Sequence, residues 1–295
     1  MPAHSRIAQR RIHATILAVA FALIAIDPSM ADDPLLKVGD RVAIVGGTFV
    51  ERMQSNGALE AELQTRRPDW QLRIRNLGWS GDDVHGLARK VFDQPENGYQ
   101  RLMKDLDTAD PTVVIVAYGF AEASDGAPAV ERFEPGLRRL VSDLKKSDRR
   151  VILVSPIALP GFRVDAYDQW ISQCGQIIAR VAKDAEVEAL NIEWSPDPSQ
   201  LTEDKLYPNK LGYSEIASGL ADRLVGGSST NADDEQLREW IVKKNELFFH
   251  RHRPQNETYL FLFRKHEQGN NAVEIPQFDP LINQADEAIW RAAKP

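Results

Sequence analysis

The run Thr112-Val-Val-Ile-Val-Ala-Tyr118 constrains the fold more than any other segment. It is apolar at odd and even positions alike, it closes on Gly119, and it is short, which is the pattern of a strand buried on both faces. Arg41–Val45, Val151–Val154 and Val187–Ile192 follow the same plan, and Gln71–Asn76 alternates Leu72 and Ile74 with polar residues as a half-buried strand does. Stretches of helical period lie between them: Phe49, Met53, Leu59 and Leu63; Phe133, Leu137, Leu140 and Leu144; then Tyr167–Val181 and Leu211–Leu224. Strands of this kind alternating with helices predict an α/β protein, a parallel five-stranded sheet covered by helices on both faces in three α/β/α layers.

The two ends depart from this plan. Arg6, Arg10 and Arg11 precede the small and apolar run Ala14–Ile26, and Ser29-Met30-Ala31 then sets small residues at the −3 and −1 positions of a cleavage site. These are the three parts of a secretory signal peptide over residues 1–31. The run is shorter than the ~20 residues that span a bilayer, so no membrane span is expected after cleavage, and the expected location is the periplasm or the cell exterior. The α/β body occupies 32–225. The stretch 226–234, Gly-Gly-Ser-Ser-Thr-Asn-Ala-Asp-Asp, reads as a linker. The remainder, 235–295, reads as a mostly helical C-terminal extension, with helices over Glu235–Phe249 and Leu281–Ala293, a break at Pro254, and the aromatic-dense Tyr259-Leu-Phe-Leu-Phe263 between them. A tail of this size is too small to rely on a core of its own and is expected to pack on the body.

A formal net charge of −7 argues against nucleic-acid binding, which needs clustered Lys and Arg. The single cysteine, Cys174, excludes an internal disulfide and a cysteine-rich zinc site, and reads as a small buried helix residue. No cofactor or metal is implied.

In an open parallel sheet, ligands bind beyond the carboxyl ends of the strands. Four such junctions carry informative residues: Gly46-Gly47-Thr48, Asn76-Leu-Gly-Trp-Ser-Gly-Asp82, Tyr118-Gly-Phe-Ala-Glu122 and Asp204-Lys-Leu-Tyr-Pro-Asn209. Their order and spacing resemble the SGNH hydrolases, or GDSL-type esterases, over roughly residues 40 to 225, and the tail resembles extensions of a divergent exported branch. The resemblance implies a flavodoxin-like SGNH fold and hydrolysis of ester bonds. It also implies roles by position. The family's nucleophilic serine falls at Thr48, the preceding aspartate at Gly47, an oxyanion-hole glycine at Gly81, the oxyanion asparagine at Ala121, and the Asp-x-x-His pair at Asp204 and Tyr207. Ser80-Gly81-Asp82 and Pro208-Asn209 match the family pattern; Gly47, Thr48, Ala121 and Tyr207 depart from it.

The departures have chemical consequences. A hydroxyl is a weak nucleophile unless a base takes its proton. A phenol, with a reference pKa of about 10, keeps its own proton at neutral pH and is a poor acceptor. Ala121 donates nothing, and one missing oxyanion donor costs about a hundred- to a thousandfold in rate. Beyond the leader the histidines are His85, His250, His252 and His266. Ser80, Asp82, Asp83 and His85 read as a capped loop start rather than a triad, whose members come from separate loops. For His250 to Arg253 three readings stand: a solvated basic strip, a His-x-His metal pair lacking a third ligand, or a tail that brings a His or Arg to the carboxyl edge. Trp79 and Tyr118 read either as core residues or as the floor of a sugar site. Two functions remain open. One is a weakened family member that binds an acylated carbohydrate or other small ester, and the other is an active ester hydrolase using Thr48 or a base from the extension.

Overall fold

The computed structural model describes residues 33–90, 92–158, 166–192, 200–203, 206–229, 231–254, 257–267, 269 and 271–294. Residues 1–31, expected to form a signal peptide, and Asp204 lie outside the described residues. The body begins with β1 (Arg41–Gly46), α1 (Thr48–Arg52), α2 (Ala58–Arg66), β2 (Arg73–Asn76), α3 (Pro95–Ala109), β3 (Val113–Ala117) and α4 (Phe120–Asp125). It continues through α5 (Ala127–Lys146), β4 (Arg150–Val154), α6 (Tyr167–Ala185), β5 (Glu188–Leu190) and α7 (Lys210–Leu224). The extension contributes α8 (Glu235–His252), α9 (Glu257–Leu260) and α10 (Phe278–Ala292). The five strands are parallel in the order β2-β1-β3-β4-β5. This is the flavodoxin-like order, with its topological switch between β1 and β3.

The two-sided apolarity of β3 has a direct cause. Val114 and Val116 point to one face, where Leu102, Phe133, Leu137 and Ile178 of α3, α5 and α6 close over them. Val113 and Ile115 point to the other, against Phe49, Leu63, Tyr213 and Leu220 of α1, α2 and α7. Two elements differ from the periodicity read above. Helix α3 was not anticipated: Tyr99, Leu102 and Leu106 reach the core with Met103 and Ala109 packed beside them, but most of the segment is charged or polar. Strand β5 is shorter than Val187–Ile192; as an edge strand it buries only Leu190.

The other edge strand, β2, is covered by the extension. The outward carbonyl of Ile74 accepts the Lys244 ammonium at 2.8 Å, and that of Leu72 accepts the Trp290 indole N–H at 3.0 Å and the Gln64 amide at 2.7 Å. Side-chain donors thus satisfy an edge that would otherwise pair with another chain. Arg75 on β2 makes a two-toothed ion pair with Asp286 of α10, and Lys244 of α8 pairs with Glu60 of α2 at 2.6 Å. Leu237, Ile241 and Ile289 pack with Ala61 at essentially zero exposure, each contributing about 1.5–3 kcal/mol. The stretch before α8 is held as well. Arg66 donates to Gly227 O, Thr65 and Ser229 share a hydroxyl hydrogen bond, and Arg238 reaches back to Ala232 O. Among the described residues, no helix is long and apolar enough to cross a membrane.

Candidate active site

The carboxyl ends of β1 and β2 meet in a tightly stitched junction. The loop after β2 lies on the backbone of α1. Asn76 donates to Val50 O at 2.8 Å and accepts the Gly78 N–H at 2.8 Å, and Trp79 N–H donates to Gly46 O at 3.0 Å. A Cβ at Gly78 would sit 2.4 Å from Glu51 N, so only glycine permits this approach. The next turn brings the Gly81 N–H to Thr48 Oγ1 at 2.9 Å. Thr48 is the first residue of α1, half-buried, and Ser80 and Gly81 are exposed. Gly47 has a steric reason too. A Cβ there would meet Asp82 O at 2.8 Å, so the side chain the family carries at this position has no room.

Behind the loop, Asp82 is fully buried. It pairs with Arg89 at 2.7 Å and accepts the Tyr118 hydroxyl at 3.1 Å and the Ala88 N–H at 3.2 Å. Burial raises the Asp82 carboxyl against the pull of Arg89 and Tyr118. Asp83 accepts the His85 and Leu87 N–H groups, which is the capped loop start expected of this stretch. Glu122 ties the third junction to the second. Its carboxylate takes the Val84 N–H at 2.9 Å and the Gly119 N–H at 2.8 Å, and burial pushes it up to about 7. Cys174 is buried as expected, and burial pushes its thiol up to about 12.

The remaining junctions approach α1 from its other side. Phe49, next to Thr48, stacks on Phe120, next to Ala121, with centroids 4.7 Å apart. Tyr213 of α7 donates to Phe49 O at 3.0 Å, and Asn209 caps α7 by accepting the Gly212 N–H. Tyr207, half-buried just ahead of that cap, lies under the Arg52 guanidinium at 4.2 Å. Arg52 is one helical turn from Thr48, so Tyr207 is at the Thr48 end of the sheet. A groove of about 1360 Å³ opens beside it, bordered by Arg52, Asn209, Lys210 and Arg238; neither Thr48 nor Gly81 lines it.

His85, His250 and His252 are engaged elsewhere. His85 bonds Arg132 O, and His252 is buried, bonds Phe248 O through Nδ1 and is pushed down to about 3 by burial. His250 lies against Phe278 and against Phe249, which it shares with His252. The strip His250 to Arg253 is therefore not uniformly solvated: Arg251 pairs with Asp279, and Arg253 reaches Glu51 at 2.7 Å while stacking at 3.8 Å over Trp79. Trp79 and Tyr118 are both buried, Trp79 under Arg253 and Tyr118 on Asp82, so neither floors an open sugar site. Glu51 and Arg89 escaped the sequence reading, Glu122 was read only as part of the third junction, and Arg253 only as one of the tail groups that one reading brings to the carboxyl edge. Only Glu122 carried a local signal, at the acidic position of the Gly-x-x-Glu block.

A GDSL-like lipase/acylhydrolase family model matches residues 38–214. An acetylxylan esterase of Geobacillus stearothermophilus is 22% identical over 210 residues, 65% of this chain and 90% of that protein. Among solved structures, LAE5, an alpha/beta hydrolase enzyme from the metagenome of Lake Arreo, Spain, superposes with a TM-score of 0.52 at 22% identity, over 64% of this chain and 98% of its own. The acetyl xylan esterase AlAXEase superposes with a TM-score of 0.51 at 17% identity, over 63% of this chain and all of its own. The parallel sheet in flavodoxin-like order, the stitched strand ends and the match across most of the α/β body agree: the chain belongs to the GDSL-like lipase/acylhydrolase family.

Proposed function

We propose that this is an exported family member that recognises an acyl ester carried on carbohydrate and turns it over slowly. Thr48, Gly81, Ala121, Asp204 and Tyr207 stand at the positions of the family's nucleophile, oxyanion donors and Asp–His pair. The observation that carries the reading is the hydrogen bond from Gly81 N–H to Thr48 Oγ1 at 2.9 Å, with no histidine bonded to Thr48 among the described residues. The hydroxyl and one backbone donor face each other, while among the described residues no histidine stands as a proton acceptor for Thr48. The relatives named as acetylxylan esterases support an acylated sugar as the ligand class. The leader Arg6 to Ala31 supports export, and the mature chain should begin at Asp32 when sequenced from its native host.

The test compares kcat/KM for nitrophenyl acetate and for an acetylated xylo-oligosaccharide. The wild type should be slow, and Thr48→Ser alone should help little because the base is still absent. Thr48→Ser, Ala121→Asn and Tyr207→His together should exceed the product of the single effects, since members of a catalytic unit act non-additively. Fast wild-type turnover that Thr48→Ala abolishes would overturn the reading in favour of an active hydrolase with another base.

A further inference from the structure

We propose that Arg253 is a positioning residue: the C-terminal extension uses it to hold the Trp79–Gly81 turn so that the Gly81 N–H stays on Thr48. The inference rests on reading Thr48 and Gly81 as the site. Arg253 caps the end of α8, its own N–H bonded to Phe249 O at 2.9 Å. Its guanidinium donates to Glu51 Oε2 at 2.7 Å and lies over the Trp79 ring, 3.8 Å from the centroid. Glu51 sits one turn after Thr48 on α1 and grips the loop at its most exposed point, accepting both the N–H and the hydroxyl of Ser80, the hydroxyl at 3.0 Å. Ser80 is followed directly by Gly81, whose N–H meets Thr48 at 2.9 Å.

The arrangement divides labour along the loop. Its inner end needs no help, because Asp82 is locked by Arg89 and Tyr118 in the core. Its outer end, Ser80 and Gly81, is exposed, and among the described residues its side-chain partners are Glu51 and Thr48. The Arg253–Glu51 pair is only about a quarter exposed at either side chain, which makes it less screened than a surface pair. The planar guanidinium serves two purposes at once: it fixes the carboxylate and covers the indole face. An ammonium does the first only.

Hydrogen exchange on the full chain tests the proposal without requiring turnover. In Arg253→Met, the Ser80 and Gly81 amides should exchange at least about tenfold faster, a change of about 1.4 kcal/mol in local opening. Exchange in α8 and α10 should be unchanged, and Arg253→Lys should restore part of the protection. Unchanged exchange at 80–81 would overturn the proposal. Loosening spread through α8 and α10 would also overturn it, since Arg253 would then merely dock the extension. If Arg253→Met fails to fold, Glu51→Gln reads the same clamp from the loop side, with the same local gain expected. Residual ester hydrolysis by Arg253→Met should fall in kcat with KM held. Faster exchange at 80–81 with hydrolysis unchanged would uphold the clamp and refute Thr48–Gly81 as the site.

Discussion

Replacing Lys244 by Met tests how the extension is welded to the body. The Lys244 ammonium is completely buried, 2.6 Å from Glu60 and 2.8 Å from Ile74 O, and Glu60 is also buried, with Oε1 lacking any hydrogen bond. Methionine keeps the stem and its packing but removes the charge. Burial raises the Glu60 carboxyl even with Lys244 present, and without its partner that carboxyl must fold neutral. Protonation then caps the penalty. From an unfolded-state pKa of about 4.3 up to pH 7, at about 1.36 kcal/mol per unit, the cost reaches about 3.5 kcal/mol. The lost donor to Ile74 O adds about 1 kcal/mol. Urea denaturation at pH 7 should therefore show a loss of about 4–5 kcal/mol, in line with the usual effect of breaking a buried pair. At pH 4.5 most of the loss should vanish, because the unfolded chain then also holds the Glu60 proton about half the time. Glu60→Leu combined with Lys244→Met should recover most of the stability at pH 7. A loss under about 1 kcal/mol, or one equal at both pH values, would refute the reasoning.

Glu122, pushed up to about 7 by burial, holds a proton in the fold that the unfolded chain gives up near its ordinary value. Its contribution is complete below about pH 4.3 and is lost as pH rises through 7, so wild-type stability relative to Glu122→Gln should fall by on the order of 3 kcal/mol across that window; a flat difference in paired urea titrations would contradict this. His252, pushed down to about 3, has the opposite sign. Its contribution is complete above about pH 6.5 and is lost as pH falls toward 3, by on the order of 4 kcal/mol, and His252→Phe should flatten that acid limb in thermal scans at stepped pH. Gly47→Asp, which restores the family residue, forces a Cβ to within 2.8 Å of Asp82 O. It should cost about 1–3 kcal/mol, and an unchanged Tm would mean that the loop backs away freely.

The sheet was readable because its strands are buried on both faces, and that burial leaves an unbroken apolar mark. Thr112–Tyr118 cannot alternate when Val114 and Val116 face one helical layer and Val113 and Ile115 face the other. Helix α3 does carry a helical period, with Tyr99, Leu102, Met103 and Leu106 along one face, and it was passed over because the rest of the segment is charged or polar and its apolar content is low. The expected place of the site followed from topology, since three of the four junctions are the carboxyl ends of the neighbouring strands β2, β1 and β3, and the fourth lies ahead of α7. What holds the site did not. Glu51, Arg89 and Arg253 act across 29, 12 and 202 positions of sequence, on Ser80, Leu77 O and Glu51 respectively, and no local pattern announces such partners.

Gly47 shows how a departure from a family motif can be misjudged when only its chemistry is weighed. Read as a lost aspartate, it is one more missing group. In the fold it lets Asp82 O lie against the start of α1, and that close approach is what allows the next amide but one, Gly81, to reach Thr48. The junction has exchanged a side chain for proximity of backbones. The consequences extend to the tail. A loop pressed onto α1 brings Ser80 within reach of Glu51, and a carboxylate already engaged on one side is a fixed target for Arg253 on the other. The helix α8 that seals the free edge of β2 through Lys244, alongside Trp290 of α10, therefore ends at Arg253 on the loop beside Thr48. Edge protection and loop placement are two ends of one docked helix, and a substitution that frees α8 should loosen both.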